Sequence, residues 1–247
     1  MHRVNRLLSL AGLRLARVNG IPLDFKRHYG KQFDELKRNN GGFRIFQEFE
    51  CDIGDHPQSY KDYECMFAAI NLNKANPVEI LDIGSYRHFI IGLLAHYRIT
   101  TLDVRKRESF CENEIVLTAD AKNLPIPSNS FDAVVSLCAI EHFGLGRYGD
   151  EFDIDADRKA FNEMVRVLKP GGMLIFTTTI TRGAPAIAFN AHRIYNYDLI
   201  RNLCNGLKLC EEKFFSSKLG THCSFDDVSN SPNNWDVYCG RWEKLSQ

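Results

Sequence analysis

Asp82, Asp103 and Asp120 each follow an apolar, strand-like run, and Gly84 stands two places after the first of them. A carboxylate at such a strand end can accept two hydrogen bonds from the vicinal hydroxyls of a ribose, or meet an adenine amino group. The glycine allows a tight turn, beyond which a helix N-terminus presents free backbone N–H groups. One acidic residue at a strand end is usually a cap. Three in succession, in register with a glycine turn, point to an adenosine-type ligand. Tyr86, Arg87 and His88 stand where further glycines would normally let a ligand approach the backbone, and Arg87 could there meet a carboxylate. Gly144, Gly146 and Gly149 satisfy G-x-G-x-x-G, but they follow the fourth strand and not the first, so they are no dinucleotide fingerprint.

Two polar clusters could serve a second reactant. Glu141-His142 lies just after the fourth strand, in a stretch that continues through Phe143, Gly144 and Arg147 to Asp150. Either Glu141 or His142 could take a proton from an acceptor hydroxyl, or each could simply fix its loop. His192 and Arg193, after the fifth strand, could meet an anionic substrate or serve as loop and cap residues.

Strands are predicted over 78–83, 99–104, 114–117, 131–137 and 173–179, with two more at 208–215 and 237–242. Helices are predicted over 58–73, 89–97, 157–168 and 198–204. Regular β-α alternation with short connections implies an α/β fold, a doubly wound, mostly parallel sheet covered by helices. The Lys169-Pro170-Gly171-Gly172 break reads as a folding turn ahead of the fifth strand. The expected division is an N-terminal helical extension over 1–76 and a Rossmann-like domain over 77–247.

Lys and Arg balance Asp and Glu at 31 each, so no global field favours nucleic acid. The eight cysteines include no C-x-x-C pair, which argues against a zinc site or a disulfide framework. No metal is expected, and the cysteines read as buried free thiols in a reducing cytoplasm. Residues 1–23 hold four arginines and no acid, with Val4, Leu7, Leu8, Ala11, Leu15 and Val18 on one helical stripe. That stripe suits packing on the domain or a second subunit. The alternatives are peripheral contact of residues 1–20 with the inner face of a membrane and a transit peptide of similar composition.

The runs Ile80-Leu81-Asp82-Ile83-Gly84, Leu102-Asp103, Ala119 to Pro125, Ser130 to Val134 and Arg166 to Gly172 resemble a class I S-adenosylmethionine-dependent methyltransferase. The resemblance covers roughly 77–180 and implies a seven-stranded sheet whose last strand is antiparallel. It implies S-adenosylmethionine as cofactor, with Gly84 along its methionine moiety, Asp103 on the ribose, and Asp120 and Ala121 flanking the adenine. Asp82 and Ser85 would bind the cofactor with Gly84 at that turn. The family's glycines at the positions of Tyr86 and His88 are missing. The two polar clusters together resemble a narrower family of unknown function (DUF268-like), whose members are often encoded near glycan-assembly enzymes. That resemblance suggests a small-molecule substrate of saccharide type; from their place at the strand ends, Glu141 and His142 would be catalytic and Arg147, His192 and Arg193 would lie at the substrate. The alternative is a non-catalytic protein of the same fold that scaffolds glycan assembly.

Overall fold

The computed structural model describes residues 23–45, 59–109, 111–189 and 191–246. The chain divides into two units, Met1–Pro57 and Gln58–Gln247. In the first unit, a helix spans Leu23–Arg38 (α1). The arginine-flanked stripe over 1–20 lies outside the described residues.

The second unit begins with α2, Tyr60–Ala75, opened by a reciprocal capping box between Ser59 and Asp62. It ends at Asn76, whose φ of 46° stops the helix ahead of Pro77. The chain then alternates: β1 (Glu79–Ile83), α3 (Arg87–Leu93), β2 (Arg98–Asp103), β3 (Glu114–Thr118), β4 (Phe131–Leu137), α4 (Ala156–Val167) and β5 (Leu168–Ile180). A hairpin of β6 (Ala186–Ala188) and β7 (His192–Ile194) follows. Then come α5 (Tyr197–Leu203), β8 (Leu207–Ser216), β9 (Thr221–Cys223) and β10 (Asp236–Lys244).

The main sheet runs β3-β2-β1-β4-β5-β10-β8-β9. Strands β3 to β5 are parallel, and β10 is antiparallel to both of its neighbours. The expected doubly wound architecture is therefore present, with eight strands in place of seven. The extra strand is the short β9, added antiparallel to the edge of β8.

Alternation along β1 sorts the two faces. Ile80 turns to a core shared with Phe67 and Leu72 of α2 and Ile90 of α3. Leu81 and Ile83 turn to the other core, with Phe161 and Met164 of α4 and Phe176, Tyr238 and Trp242 of the sheet. Helix α2, expected within an extension ending at 76, is thus packed on the sheet through Phe67, Ala68 and Leu72, all buried. Truncating Leu72 to Ala there costs about 2–5 kcal/mol.

The glycine break after α4 works as expected, in a different form. Phe131 pairs with Leu168, but Ala133 pairs with Met173, so 169–172 loop out of the ladder while β5 formally begins before them. Gly171, at φ 74°, supplies the left-handed residue this needs.

Candidate active site

The chain runs outward from β1 to β3 and then returns to β4, so strand order reverses between β1 and β4. Ligands in open α/β sheets bind beyond the carboxyl ends at this point. Here the two strand ends are stitched together: Ser136 Oγ donates to Ile83 O at 3.0 Å, and Leu137 N donates to Ser85 Oγ at 3.1 Å. Gly84 follows with φ 73°, and a Cβ on it would stand 3.0 Å from that of Ala139. Only glycine meets both demands, and its bare backbone forms part of the cavity wall.

Two cavities meet there. The first is lined by Gly84, Asp103, Asp120, Ala121, Cys138 and His142, among others. It brings together four of the residues expected around an adenosine. Asp103 Oδ1 accepts from Arg105 N and Nε, both at 2.9 Å, and Oδ2 accepts from Arg105 Nη2 at 2.6 Å. Burial works to raise the Asp103 pKa, but these hydrogen bonds outweigh it and hold the carboxyl below its ordinary value. Arg105 is mostly exposed, so moving it aside to admit ribose hydroxyls is cheap. Asp120 caps its own turn by accepting from Lys122 N at 2.9 Å, while Ala121 is buried in the adjoining wall. A larger cleft between α4, α5 and the β6–β7 hairpin contains none of these strand-end residues.

The second cavity is lined by Tyr60, Glu64, Glu141, His142, His192 and Trp235, with Lys61, Tyr86 and Arg147 among its other walls. It shares Gly84, Cys138, His142 and Tyr148 with the first. His142 therefore stands at the junction. Its Nδ1 lies 2.6 Å from Ala191 O, and a carbonyl can only accept, so Nδ1 carries the proton and Nε2 the lone pair. Burial lowers the His142 pKa to about 4, opposed by the Ala191 bond and reinforced by nearby Arg147 and His192. The imidazole is neutral at physiological pH. Glu141 sits beside it, Oε1 3.9 Å from Nε2. Burial, with the nearby Glu64 carboxyl adding to it, pushes Glu141 up to about 8.

Several expected residues have other work. Arg193 lines neither of these cavities. It is buried beside Asp157, with Nη1 donating to Phe143 O at 2.6 Å and Nη2 to Ile154 O at 3.0 Å, and so ties the loop after β4 to β7. Asp82 and Ser85 stand behind the turn. Asp82 is buried with Oδ1 lacking a partner, and burial, against Ser85 hydrogen bonds, raises it to about 7. Arg87 points to Glu114, in a two-pronged ion pair that Arg107 and Thr101 join. Burial would raise Glu114, yet these partners hold it at about 2.

The two side chains in place of the family's glycines do not enter the first cavity. Tyr86 and His88 stack on each other at 5.2 Å, and the Lys61 ammonium lies over the Tyr86 ring at 5.0 Å. Both rings are exposed.

Residues missed in the sequence include Glu64, Cys138, Tyr148 and Trp235. Glu64 had a legible signal: it falls on the buried stripe of α2 with Phe67, Ala68, Asn71 and Leu72, and an acid on an apolar stripe calls for a reason. All cysteines among the described residues are free, but only Cys204 and Cys239 are buried, the others being half-buried. Among the described residues no cluster of metal-ligating side chains is found and no helix is long and apolar enough to cross a membrane.

A curated relative, malonyl-[acyl-carrier protein] O-methyltransferase of Marinomonas sp., is 24% identical over 90% of this chain and 88% of its own. Among solved structures, the [4+2]-cyclase SpnF superposes with a TM-score of 0.58 at 17% identity, covering 93% of this chain and all of SpnF. The N-methyltransferase NodS of Bradyrhizobium japonicum, solved with S-adenosylhomocysteine, gives 0.53 at 19% identity over 87% of this chain and 98% of NodS. The 1,6-didemethyltoxoflavin-N1-methyltransferase of Burkholderia thailandensis, also with S-adenosylhomocysteine, gives 0.55 at 13% identity over 94% of each chain. The family described as Caenorhabditis protein of unknown function, DUF268, matches residues 80–223, which is more than half of the chain and takes in every strand from β2 to β9. With the fold of class I S-adenosylmethionine-dependent methyltransferases and this match, the chain belongs to the DUF268 family.

Proposed function

We propose that this protein is an S-adenosylmethionine-dependent methyltransferase acting on a hydroxyl of a small molecule, with a saccharide or glycan precursor as the favoured class. The observation that carries the reading is the junction itself. A cavity with Gly84, Asp103, Asp120 and Ala121 opens, past Cys138 and Tyr148, onto one where a neutral His142 waits.

The residues fit the cofactor on three counts. Gly84 leaves room where a Cβ would crowd Ala139. Asp103 Oδ2 keeps acceptor capacity for a ribose hydroxyl beside the Arg105 contact. Asp82 Oδ1 is a buried acceptor still without a partner, just behind the turn. When bound, the cofactor supplies a methyl group already activated on a sulfonium, so the chain needs to align the acceptor, exclude water and take one proton.

His142 Nε2 takes that proton from the acceptor hydroxyl, because Nδ1–H is held by Ala191 O and the imidazole is neutral. Arg147 Nη1 shares the same carbonyl at 3.3 Å and steadies the loop that carries the ring. Tyr60, Trp235 and His192 form an aromatic wall, with ring centroids 5.6 and 5.3 Å apart, a surface suited to the apolar face of a sugar ring. The O-methyltransferase named among the relatives also favours an oxygen acceptor.

Calorimetric titration with S-adenosylhomocysteine tests the reading. Saturable binding is expected, and no heat at millimolar ligand would overturn it. Methyl-labelled cofactor offered with panels of glycosides, amines and carboxylic acids then tests the acceptor class. Label in the amines alone would discard the hydroxyl assignment.

A further inference from the structure

The two cavities treat their cations differently. The first has Arg105 and Lys122 on its walls, and the chain supplies acids for both. Arg105 Nη2 lies 2.6 Å from Asp103 Oδ2, and Lys122 Nζ lies 3.4 Å from Asp120 Oδ2 and 3.7 Å from Asp153 Oδ2. The second has Lys61, from the first turn of α2, and Arg147, from the loop after β4. Among the described residues neither of these forms an ion pair.

Acids are present in that cavity, but they are turned away. Glu64 and Glu141 are each only 2% exposed. Thr177 Oγ1 donates to Glu64 Oε2 at 2.7 Å, and Thr178 Oγ1 to Glu141 Oε2 at 3.1 Å, so both carboxyls are tied to β5. Burial raises both above the ordinary carboxylate range, Glu141 to about 8, which leaves Glu141 mostly uncharged at neutral pH. The chain itself leaves the two cations unanswered.

Their donors are also free. The Arg147 guanidinium lies over the Tyr148 ring at 5.2 Å, and Nη1 donates to Ala191 O at 3.3 Å. Among the described residues Nε and Nη2 have no hydrogen-bond partner, which leaves part of a planar fork suited to a carboxylate or phosphate. Lys61 Nζ sits over the Tyr86 ring at 5.0 Å and adds a point charge. Each cation adjoins a part of the acceptor side. Arg147 Nη1 is 3.3 Å from His142 Nδ1, and Lys61 follows Tyr60 of the aromatic wall.

We infer that the acceptor molecule carries an oxyanion, a carboxylate or a phosphate, which Arg147 and Lys61 take up while its hydroxyl lies at His142 Nε2. The inference rests on reading the second cavity as the acceptor side and narrows the substrate class to an acidic sugar, a uronate or a sugar phosphate. The cavity volume, about 390 Å³, is at the small end of ligand sites and suits one ring with its charged group.

Calorimetric titration of the whole protein, with S-adenosylhomocysteine present, compares methyl glucoside, methyl glucuronoside and glucose 6-phosphate. At least one charged probe should bind about tenfold or more tightly than the neutral glucoside, and the two charged arms tell carboxylate from phosphate. Arg147→Gln should weaken that probe about tenfold and Lys61→Gln about threefold, with S-adenosylhomocysteine affinity within about twofold in both. Raising NaCl to about 0.5 M should shrink the wild-type preference and leave the double variant unchanged. Lys61 is exposed and touches only the Tyr86 ring, so its variant stays informative if Arg147→Gln disturbs the loop. No saturable binding of either charged probe, no preference over the glucoside, or affinities unmoved in both variants overturns the inference. Repeating the titration without S-adenosylhomocysteine separates it from the methyltransferase reading. A protein that prefers the charged probes but binds no S-adenosylhomocysteine keeps its anion site and loses its cofactor. One that binds S-adenosylhomocysteine without that preference loses the anion site alone.

Discussion

The two halves of the site are built on different principles. The half with Gly84, Asp103, Asp120 and Ala121 comes from the carboxyl ends of three strands consecutive in sequence, β1, β2 and β3, which are also neighbours in the sheet. The half with Glu64, Glu141, His142, His192 and Trp235 draws on segments between residues 64 and 235. The first is fixed once the parallel ladder forms, because register alone aligns the strand ends. The second depends on docking: α2 onto the sheet, the loop after β4 onto β7, and the segment before β10 against the hairpin. One half is set by topology and suits a constant ligand. The other is set by side-chain contacts and suits a reactant peculiar to this chain.

This contrast breaks if the halves do not separate in experiment. His142→Ala should lower methyl transfer by about 10²–10⁴-fold while S-adenosylhomocysteine affinity in calorimetry stays within about twofold. An affinity that falls as far as turnover would merge the halves. Asp103→Ala should do the reverse, weakening S-adenosylhomocysteine by about 10–100-fold as hydrogen bonds to a charged group worth about 1.5–3 kcal/mol are lost. An unchanged affinity would remove Asp103 from the ribose. The smallest effect concerns pH. Glu141 has a folded pKa of about 8, above the ordinary 4.5, so the folded state holds a proton that the unfolded state has shed. Its contribution to stability is complete below the unfolded value and is lost as pH rises through about 8. Urea unfolding between pH 6 and 7 should lose stability at about 1.4 kcal/mol per pH unit from this group. The slope should be shallower in Glu141→Gln, and equal slopes would mean that Glu141 is ionised in the folded protein.

The same division decides what could be read from the sequence. Strands β1 to β4 announced themselves through short apolar runs ending in an acid or a turn, and so did Gly84, Asp103 and Asp120. Arg193 allowed two readings, an anion contact or a loop and cap role, because an arginine in a polar cluster looks free to meet an anion. In the fold its guanidinium caps the carbonyls of Phe143 and Ile154, and no local pattern reports a partner 39 or more residues away. Tyr86 and His88 could be read only as missing glycines, because a linear motif shows size and not direction; in the fold their rings lie against each other, centroids 5.2 Å apart. Trp235 had no signal, since its role comes from standing beside Tyr60 and His192.

Trp235, just ahead of the final strand, has a consequence for the order of events during synthesis. Strands β1 to β3 can emerge and pair while β10 is still inside the ribosome, since their contacts are nearly local. The gap between β5 and β8 stays open until residues 236–244 arrive to fill it. Until then both strands show unpaired edges, and the aromatic wall lacks one of its rings. A chain interrupted before residue 235 would retain Gly84, Asp103, Asp120 and Ala121 of the first cavity and lack Trp235 of the second. Closing the gap in the sheet and bringing Trp235 beside Tyr60 and His192 are thus one step.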